Sequence, residues 1–389
     1  MAAGKDGAEE LIMTTTKFPF DNQDLLSGIL SWVRIESPTT DAAAVNRMMD
    51  FIEADATGWG AGIRRIPGTG GMGDLLLVSS PGAGEETPGI LLLSHMDTVH
   101  DIGTIERELP CRVEGDVAFG PGIYDMKGGA YLAYAAMRAA VTSGRPTPLP
   151  VRYLFVSDEE YGSPTGRAHI EREARRAKYV LVPEPMNNGR VVTARKGVAR
   201  LKMRFTGQPA HSGGRHQDGR SAVREMAWQI LQLEAMTDYD RGLTVNVGVA
   251  RGGTRANVVP AEAALNIDVR FSDPASGAEA LKKIRDTKAH FPDIGIEVTG
   301  GETRPCFVRR PEAEPLLART KQIAEELGVP LGDYASGGGS DGNFTAAIAP
   351  TLDGLGAEGK GSHTHFEQIE ISSLARIATI HLRLLETLA

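Results

Sequence analysis

Histidine and carboxylate side chains follow a buried strand near the middle of the N-terminal half. His95-Met96-Asp97 comes directly after the apolar run Ile90–Leu93. In an α/β sheet, ligands bind beyond the carboxyl ends of the strands, and residues two apart share a face of an extended chain. A histidine beside a carboxylate is a common arrangement for a metal ligand and the group that orients it. A core histidine hydrogen-bonded to its neighbour is an equally good explanation of this segment alone.

Further carboxylates follow glycines or apolar runs. Asp125 lies among glycines just before a helical pattern, where it could instead be an N-cap. The strand Val151–Val156 leads into an acidic run that contains Glu159 and Glu160. One such carboxylate can bind a cation while its neighbour acts as a general base, although exposed acidic turns are common. Glu184 stands between two prolines after another strand and is weak evidence by itself.

Two histidines, His363 and His365, precede the last helical segment, and either could bind a metal ion. Before them lies the glycine-rich run Ser336–Asn343, in which the backbone amide of Gly339 could approach an anion closely. A flexible turn is the alternative interpretation of that run.

Other functional classes are disfavoured by motifs and composition. Gly68, Gly70 and Gly73 have the spacing of a dinucleotide-binding loop, but a strand rather than a helix follows, so a hairpin loop is predicted. The 389 residues carry 42 basic and 50 acidic side chains without a basic stripe, which argues against nucleic-acid binding. Two cysteines cannot form a disulfide framework or a cysteine metal cage. No apolar run is long enough to span a membrane, and the start does not resemble a secretory signal, so a cytoplasmic protein is predicted.

Strands and helices alternate around these segments. Apolar patterns predict strands at 63–66, 75–78, 90–93, 151–156 and 179–182, with helices over 21–57 and 126–140. This alternation predicts an α/β fold with a mixed, mostly parallel sheet and helices on both faces.

The pattern changes near residue 195. The order strand, helix, strand, strand, helix, strand then predicts a ferredoxin-like α+β unit. We therefore expect residues 195–305 to be an inserted domain, and residues 1–194 and 306–389 to form the catalytic domain.

The order of the motifs HMDTV, GIYDMKGG, SDEEYGS, PEP and a late histidine before E-x-I-x-I-S resembles that of the co-catalytic zinc metallopeptidases. This family includes glutamate carboxypeptidase, acetylornithine deacetylase, succinyl-diaminopimelate desuccinylase and aminoacylase. The resemblance runs from about residue 22 to 385. The segments TRPCF and SGGGSDGNF look closest to the glutamate carboxypeptidase branch.

The resemblance implies two zinc ions, for which cobalt or manganese could compete. It implies that His95 and Glu184 bind one ion and that Glu160 and His363 bind the other. Asp125 matches the bridging carboxylate. The family pattern of a histidine followed four residues later by a glutamate fits His363 and favours it over the second histidine, His365.

Catalytic and substrate-binding roles are likewise implied by the resemblance. Glu159 matches the general base, and Asp97 matches the residue that orients His95. His211, in a segment similar to the family's lid motif, matches an imidazole that reaches across a homodimer to stabilise the oxyanion. The candidates to hold a substrate carboxylate are Asn257, Arg270, Arg304 and Gly339.

The resemblance thus implies a metal-dependent amidohydrolase or exopeptidase that cleaves an N-acyl amino acid or small peptide with a free carboxylate, similar to a glutamate carboxypeptidase. The inserted domain would be a lid and dimerisation domain. Deacylation of acetylornithine or succinyl-diaminopimelate, and hydrolysis or deamination of an unusual aromatic amide or amine, are alternatives. A metal-free binding protein is a further alternative, against which the complete set of ligand types argues.

Overall fold

The computed structural model describes residues 18–84, 87–144, 147–329 and 331–389. The helices of this part of the chain are α1 (Asn22–Val33), α2 (Ala42–Gly58), α3 (Thr104–Arg107), α4 (Gly128–Thr142), α5 (Arg167–Ala174), α6 (Ala222–Glu234), α7 (Pro274–Arg285), α8 (Glu314–Glu326), α9 (Gly342–Thr345) and α10 (Leu374–Thr387). The strands are β1 (Gly62–Ile66), β2 (Leu75–Ser79), β3 (Gly89–His95), β4 (Arg112–Glu114), β5 (Val117–Phe119), β6 (Val151–Val156), β7 (Ala177–Leu181), β8 (Arg190–Arg195), β9 (Gly197–Thr206), β10 (Thr244–Gly252), β11 (Glu262–Phe271), β12 (Gly295–Arg304), β13 (Gly332–Ser336), β14 (Thr351–Leu352), β15 (Gly359–Lys360) and β16 (Gln368–Glu370).

The largest sheet has six strands in the order β1-β2-β6-β3-β7-β14. Its β1–β2 and β2–β6 pairs are antiparallel, and the pairs from β6 through β3 and β7 to β14 are parallel. Every residue of β3 is buried, as expected for a central strand covered on both faces. Leu92 joins one hydrophobic cluster and its neighbours Leu91 and Leu93 join another, because successive side chains point to opposite faces. The mixed α/β fold predicted from the sequence is therefore present.

A second sheet has the order β10-β11-β9-β12, with all of its neighbours antiparallel. The chain runs through it as β9-α6-β10-β11-α7-β12, so that two helices connect the strands. Residues such as Met203, Leu265 and Phe271 form a hydrophobic cluster of their own beneath it.

A small sheet, which the sequence patterns did not predict, has the order β15-β16-β5-β4. Its β5–β16 pair is antiparallel, with Phe119 opposite Gln368. This pair brings the segment that follows β5 beside the segment that precedes β16.

Two local expectations can be compared directly with the structure. The glycine-rich segment after Ile66 is a hairpin loop, as predicted, because Ile66 pairs with Leu75 across it. The helix expected to begin at Met126 begins instead at Gly128. Asp125 and Met126 have non-helical backbone angles and are joined by a cis peptide bond.

The described residues contain no helix that is both long enough and apolar enough to cross a membrane.

Candidate metal centre

The five side chains expected to bind metal come from five separate segments that meet at one edge of the main sheet. His95 is the last residue of β3, Glu160 lies just after β6, and Glu184 lies just after β7. Asp125 is in the irregular turn between β5 and α4, and His363 is in the loop between β15 and β16. Parallel strands end on the same side of a sheet, which places the first three side chains near each other.

Asp125 lies at the centre of this group. Its Oδ1 atom is 3.3 Å from His95 Nε2, and its Oδ2 atom is 3.3 Å from His363 Nε2. His363 Nε2 is also 3.2 Å from Glu160 Oε2. His95 Nε2 is 3.9 Å from Glu184 Oε1. The two oxygens of one carboxylate therefore face two different imidazole and carboxylate pairs.

These separations fit metal ions shared between the side chains. A charge-assisted hydrogen bond between an imidazole and a carboxylate is shorter, about 2.7–2.9 Å. Two ligand atoms that are each about 2.1 Å from a tetrahedral zinc ion lie about 3.4 Å apart. Ligand atoms of His95, Asp125 and Glu160 all lie within 4.8 Å of one another. Glu160 Oε1 is buried without a hydrogen-bond partner, and a cation would satisfy it.

The charges of the group are poorly balanced by protein alone. Burial raises the pKa of Glu184 and of Glu160, and the nearby charge of Asp125 raises both further. Burial also opposes ionisation of Asp125, but hydrogen bonds with His363 and His95 hold its pKa below the ordinary value. Hydrogen bonds with Asp125 and Glu160 raise the pKa of His363 to about 10. Bound dications would lower the pKa values of Glu160, Glu184 and His363, because they favour ionised carboxylates and neutral imidazoles.

Asp97 contacts two parts of the centre at once. Its side chain is fully buried, and its backbone oxygen lies 2.9 Å from His95 Nδ1. A hydrogen bond donated from Nδ1 leaves the Nε2 lone pair directed at the metal position. The Asp97 carboxylate also accepts hydrogen bonds from the backbone N–H groups of Glu159 and Glu160, both at 3.2 Å. It therefore holds the acidic turn against the histidine.

Glu159 is paired with Arg304. Arg304 Nη2 donates to Glu159 Oε1 at 2.7 Å, and Nη1 donates to Asp341 Oδ1 at 2.9 Å. Burial raises the pKa of Glu159 to about 8, although the positive charge of Arg304 opposes the rise. A carboxyl group with such a pKa can both accept and release a proton near neutral pH.

Three residues with predicted roles, His211, Arg270 and Asn257, lie around the second sheet. His211 is exposed, and its Nδ1 atom accepts hydrogen bonds from Gly213 and Gly214 at 3.1 Å. Arg270 is paired with Asp268 on its own strand at 2.7 Å.

Asn257 is exposed, and its backbone oxygen accepts a hydrogen bond from Ser212. Among the described residues, no hydrogen bond or ion pair joins His211, Asn257 or Arg270 to the five ligand side chains.

Gly339 and His365 have more limited contacts. A side chain at Gly339 would place its Cβ 2.8 Å from Arg304 Cδ, so this position must lack a side chain for Arg304 to keep its place. His365 lies beside His100, with ring centroids 6.2 Å apart. His363, rather than His365, is the histidine that faces Asp125 and Glu160.

Sequence reasoning assigned no role to Asp341 and Glu367. Asp341 is buried beside Arg304, within the glycine-rich run. Glu367 accepts hydrogen bonds from backbone N–H groups of the turn that carries Asp125. The spacing of Glu367 from His363 was the one signal in the sequence that singled it out.

The comparisons with known proteins give the class and the family of this chain. Residues 91–387 match the profile of peptidase family M20/M25/M40. Carboxypeptidase G2 from Pseudomonas sp. (strain RS-16) is 32% identical over 352 residues, which cover 88% of this chain and 84% of that protein. The chain therefore belongs to peptidase family M20/M25/M40, as its motifs predict.

Other relatives are named as other kinds of hydrolase. Succinyl-diaminopimelate desuccinylase from Dechloromonas aromatica (strain RCB) is 29% identical over 295 residues, which cover 71% of this chain and 76% of that protein. The structure of a tripeptidase from Staphylococcus aureus matches with a TM-score of 0.79 and 22% identity, covering 94% of this chain and 98% of that one. The latter similarity shows the fold alone.

Proposed function

We propose that this chain is a dinuclear zinc hydrolase that cleaves the amide bond of an N-acyl amino acid or a small peptide with a free carboxylate. The observation that carries the proposal is the position of Asp125, whose two oxygens each face a different histidine at 3.3 Å. A carboxylate so placed is suited to bridge two ions.

The donor set matches zinc. His95 and Glu184 would hold one ion, Glu160 and His363 the other, and Asp125 both. Nitrogen and oxygen ligands of this kind suit zinc, and cobalt or manganese could compete for them. When bound, the two ions would polarise the scissile carbonyl and lower the pKa of a water molecule.

Glu159 would move the proton. Its carboxylate lies next in sequence to the ligand Glu160 and is held by the backbone contact to Asp97. It would accept a proton from the attacking water at one carboxylate oxygen and deliver it to the nitrogen of the leaving amine. The pKa of about 8 allows both transfers to occur without a large energetic cost.

Arg304 is the proposed contact for the substrate carboxylate. Its planar guanidinium can bind a carboxylate through two parallel hydrogen bonds. To do so it would exchange its present hydrogen bonds to Glu159 and Asp341 for bonds to the substrate. Gly339 leaves room for Arg304.

The remaining candidates, Asn257, Arg270 and His211, contact no ligand side chain of their own chain among the described residues. We propose that they act in a homodimer, in which His211 of one copy stabilises the oxyanion in the other. We accordingly propose residues 195–305 as the lid and dimerisation domain, and residues 1–194 and 306–389 as the catalytic domain. The separate hydrophobic cluster of the second sheet supports this division.

A reducing compartment, the cytoplasm, is proposed as the location. Cys111 and Cys306 are both free thiols in the structure. Free thiols persist where glutathione and thioredoxin keep them reduced.

The proposal is tested by a hydrolysis screen over N-acyl amino acids, dipeptides and aromatic amides, with and without a chelator. We expect turnover of substrates with a free α-carboxylate, loss of turnover on chelation, and recovery with Zn²⁺. Glu159→Ala should lose turnover while metal analysis still finds two ions. A protein that binds no zinc, or that hydrolyses the carboxylate and carboxamide forms of one substrate equally well, would contradict the proposal. Exclusive deacylation of N-succinyl amines would favour the desuccinylase alternative.

A further inference from the structure

Glu367 lies four residues after His363 and joins two loops of the metal centre. Its side chain is 1% exposed. Oε1 accepts hydrogen bonds from the backbone N–H groups of Tyr124 and Asp125, both at 2.8 Å. Oε2 accepts one from the N–H group of Gly122 at 3.0 Å and lies 2.8 Å from His100 Nε2. Four polar contacts to one buried carboxylate satisfy all of its usual acceptor positions.

These contacts replace hydrogen bonds that the turn around Asp125 cannot make by itself. Gly122 has a φ of 70°, and Asp125 and Met126 have non-helical backbone angles, so their N–H groups stand outside the ladder of α4. A buried N–H group without a partner costs free energy comparable to a lost hydrogen bond. Glu367 supplies the missing acceptors from another part of the chain.

The small sheet brings the two loops together. β5 leads into the turn that carries Asp125, and the loop that carries His363 leads into β16. The backbone oxygen of Glu367 accepts a hydrogen bond from Gly120 where these strands meet. The side chain of Glu367 then reaches past the strand end to the turn.

We propose that Glu367 is a positioning residue that holds Asp125 in register with His363 and so completes one of the two metal sites. This inference rests on the proposed dinuclear function. The site concerned is the one formed by Asp125, His363 and Glu160, because Glu367 fastens the loops of the first two ligands to each other. The other site shares Asp125, but its remaining ligands, His95 and Glu184, come from the ends of β3 and β7, which Glu367 does not contact. Glu367 therefore holds two ligands of the first site and only one of the second.

The proposal predicts an unequal effect on the two ions. Glu367→Gln retains one acceptor oxygen but turns an amide N–H₂ group toward the N–H of Gly122. The Zn²⁺ ion between His363 and Glu160 should then bind about 10- to 100-fold more weakly. The ion between His95 and Glu184 should lose at most about threefold in affinity, because only one of its ligands, Asp125, is held by Glu367.

The test is titration of the metal-free full-length protein with Zn²⁺ alone, in competition with a chromophoric chelator. The parent should bind two ions, and Glu367→Gln should bind one tightly and the second weakly. In a His363→Ala background, which already lacks the second site, Glu367→Gln should leave the affinity for the remaining ion unchanged within about threefold. Cobalt absorption spectra recorded during the titration give an independent count of occupied sites.

Glu225→Gln is the matched control. Glu225 is also a fully buried carboxylate that accepts hydrogen bonds from two backbone N–H groups, those of His290 and Phe291, and from the Gln229 side chain. It lies in α6, which packs against β9, β10 and β11 of the second sheet. Its substitution should lower stability without separating the two zinc affinities.

Each result decides the proposal. Equal loss at both sites, or no loss at either site, in Glu367→Gln would overturn it. A parent that takes up fewer than two ions would instead refute the dinuclear function. If Glu367→Gln does not fold, His100→Leu removes one of the four contacts and should weaken the same site alone, and equal weakening of both sites would then reject the role of Glu367.

Discussion

Glu159 should destabilise the metal-free protein, and Glu159→Gln should therefore stabilise it. The carboxyl group is buried near the negative charges of Asp341 and Glu160, and the positive charges of Arg304 and His95 offset them only in part. Burial raises its pKa from the ordinary 4.5 to about 8. A glutamine in its place has nearly the same shape, keeps an oxygen for Arg304, and never ionises.

The size of the stability change follows from the difference between the pKa values of Glu159 in the unfolded and the folded chain. Below pH 4.5 the carboxyl group is protonated in both the folded and the unfolded chain, so its ionisation does not lower the free energy of unfolding. As the pH rises toward 8, the unfolded chain loses the proton first, so stability falls. With 1.36 kcal/mol for each pKa unit, the loss is about 1 kcal/mol at pH 5 and about 4 kcal/mol at pH 8.

The assay is urea denaturation of the parent and of Glu159→Gln in the presence of a chelator, at pH 5 and pH 8. At pH 8 the variant should unfold with a free energy higher by about 3–4 kcal/mol, and at pH 5 by about 1 kcal/mol. Zn²⁺ should reduce the difference in the free energy of unfolding between the two proteins at pH 8, because bound cations offset the negative charges of the neighbouring carboxylates. Equal stability of the two proteins at pH 8 without metal would refute the account of Glu159 as a strained, proton-retaining base.

Three further results are expected. Arg304→Met should reduce the preference in kcat/KM for a carboxylate substrate over its carboxamide by about 10- to 100-fold, and an unchanged preference would remove Arg304 from carboxylate recognition. His211→Ala and Glu159→Ala, each inactive alone, should recover part of the parental turnover when the two proteins are mixed, whereas absence of recovery would argue against a site shared between copies. Burial lowers the pKa of His381 to about 4, so on acidification this histidine gains its proton in the unfolded chain first. The free energy of unfolding of the metal-free protein should therefore fall by about 2–3 kcal/mol between pH 7 and pH 4.5. His381→Gln should remove that loss in urea titrations at the two pH values, and identical losses in parent and variant would show that His381 is not its source.

The main sheet and the first candidate metal ligand, His95, were accessible from sequence because their signals are local. The run from Ile90 to Leu93 is apolar without alternation, which is typical of a strand buried on both faces. His95 follows it directly, and the rule that ligands collect at strand ends then predicts its location. Glu160 and Glu184 also follow strands, but their selection as ligands came from the resemblance to the zinc metallopeptidases and not from this rule.

Contacts between distant segments could not be predicted in this way. Strands β5 and β16 have three residues each, which is too short for an apolar pattern to appear. Their pairing nevertheless brings His363 to Asp125. The contact between Arg304 and Glu159 spans 145 residues and joins a strand end of the second sheet to the metal centre.

The edge strand β14 has a consequence for synthesis of the chain. It has only two residues, Thr351–Leu352, yet it covers the parallel edge of β7. About 170 residues separate Leu181 from Thr351, and a ribosome adds them in about 10–30 s at 5–20 residues per second. During that interval the exposed backbone groups of β7 can pair with another nascent chain. Slower translation, or a shortage of chaperones that shield emerging chains, should therefore lower the yield of folded enzyme. The loss should be smaller for proteins in which the edge strand lies close in sequence to the strand that it covers.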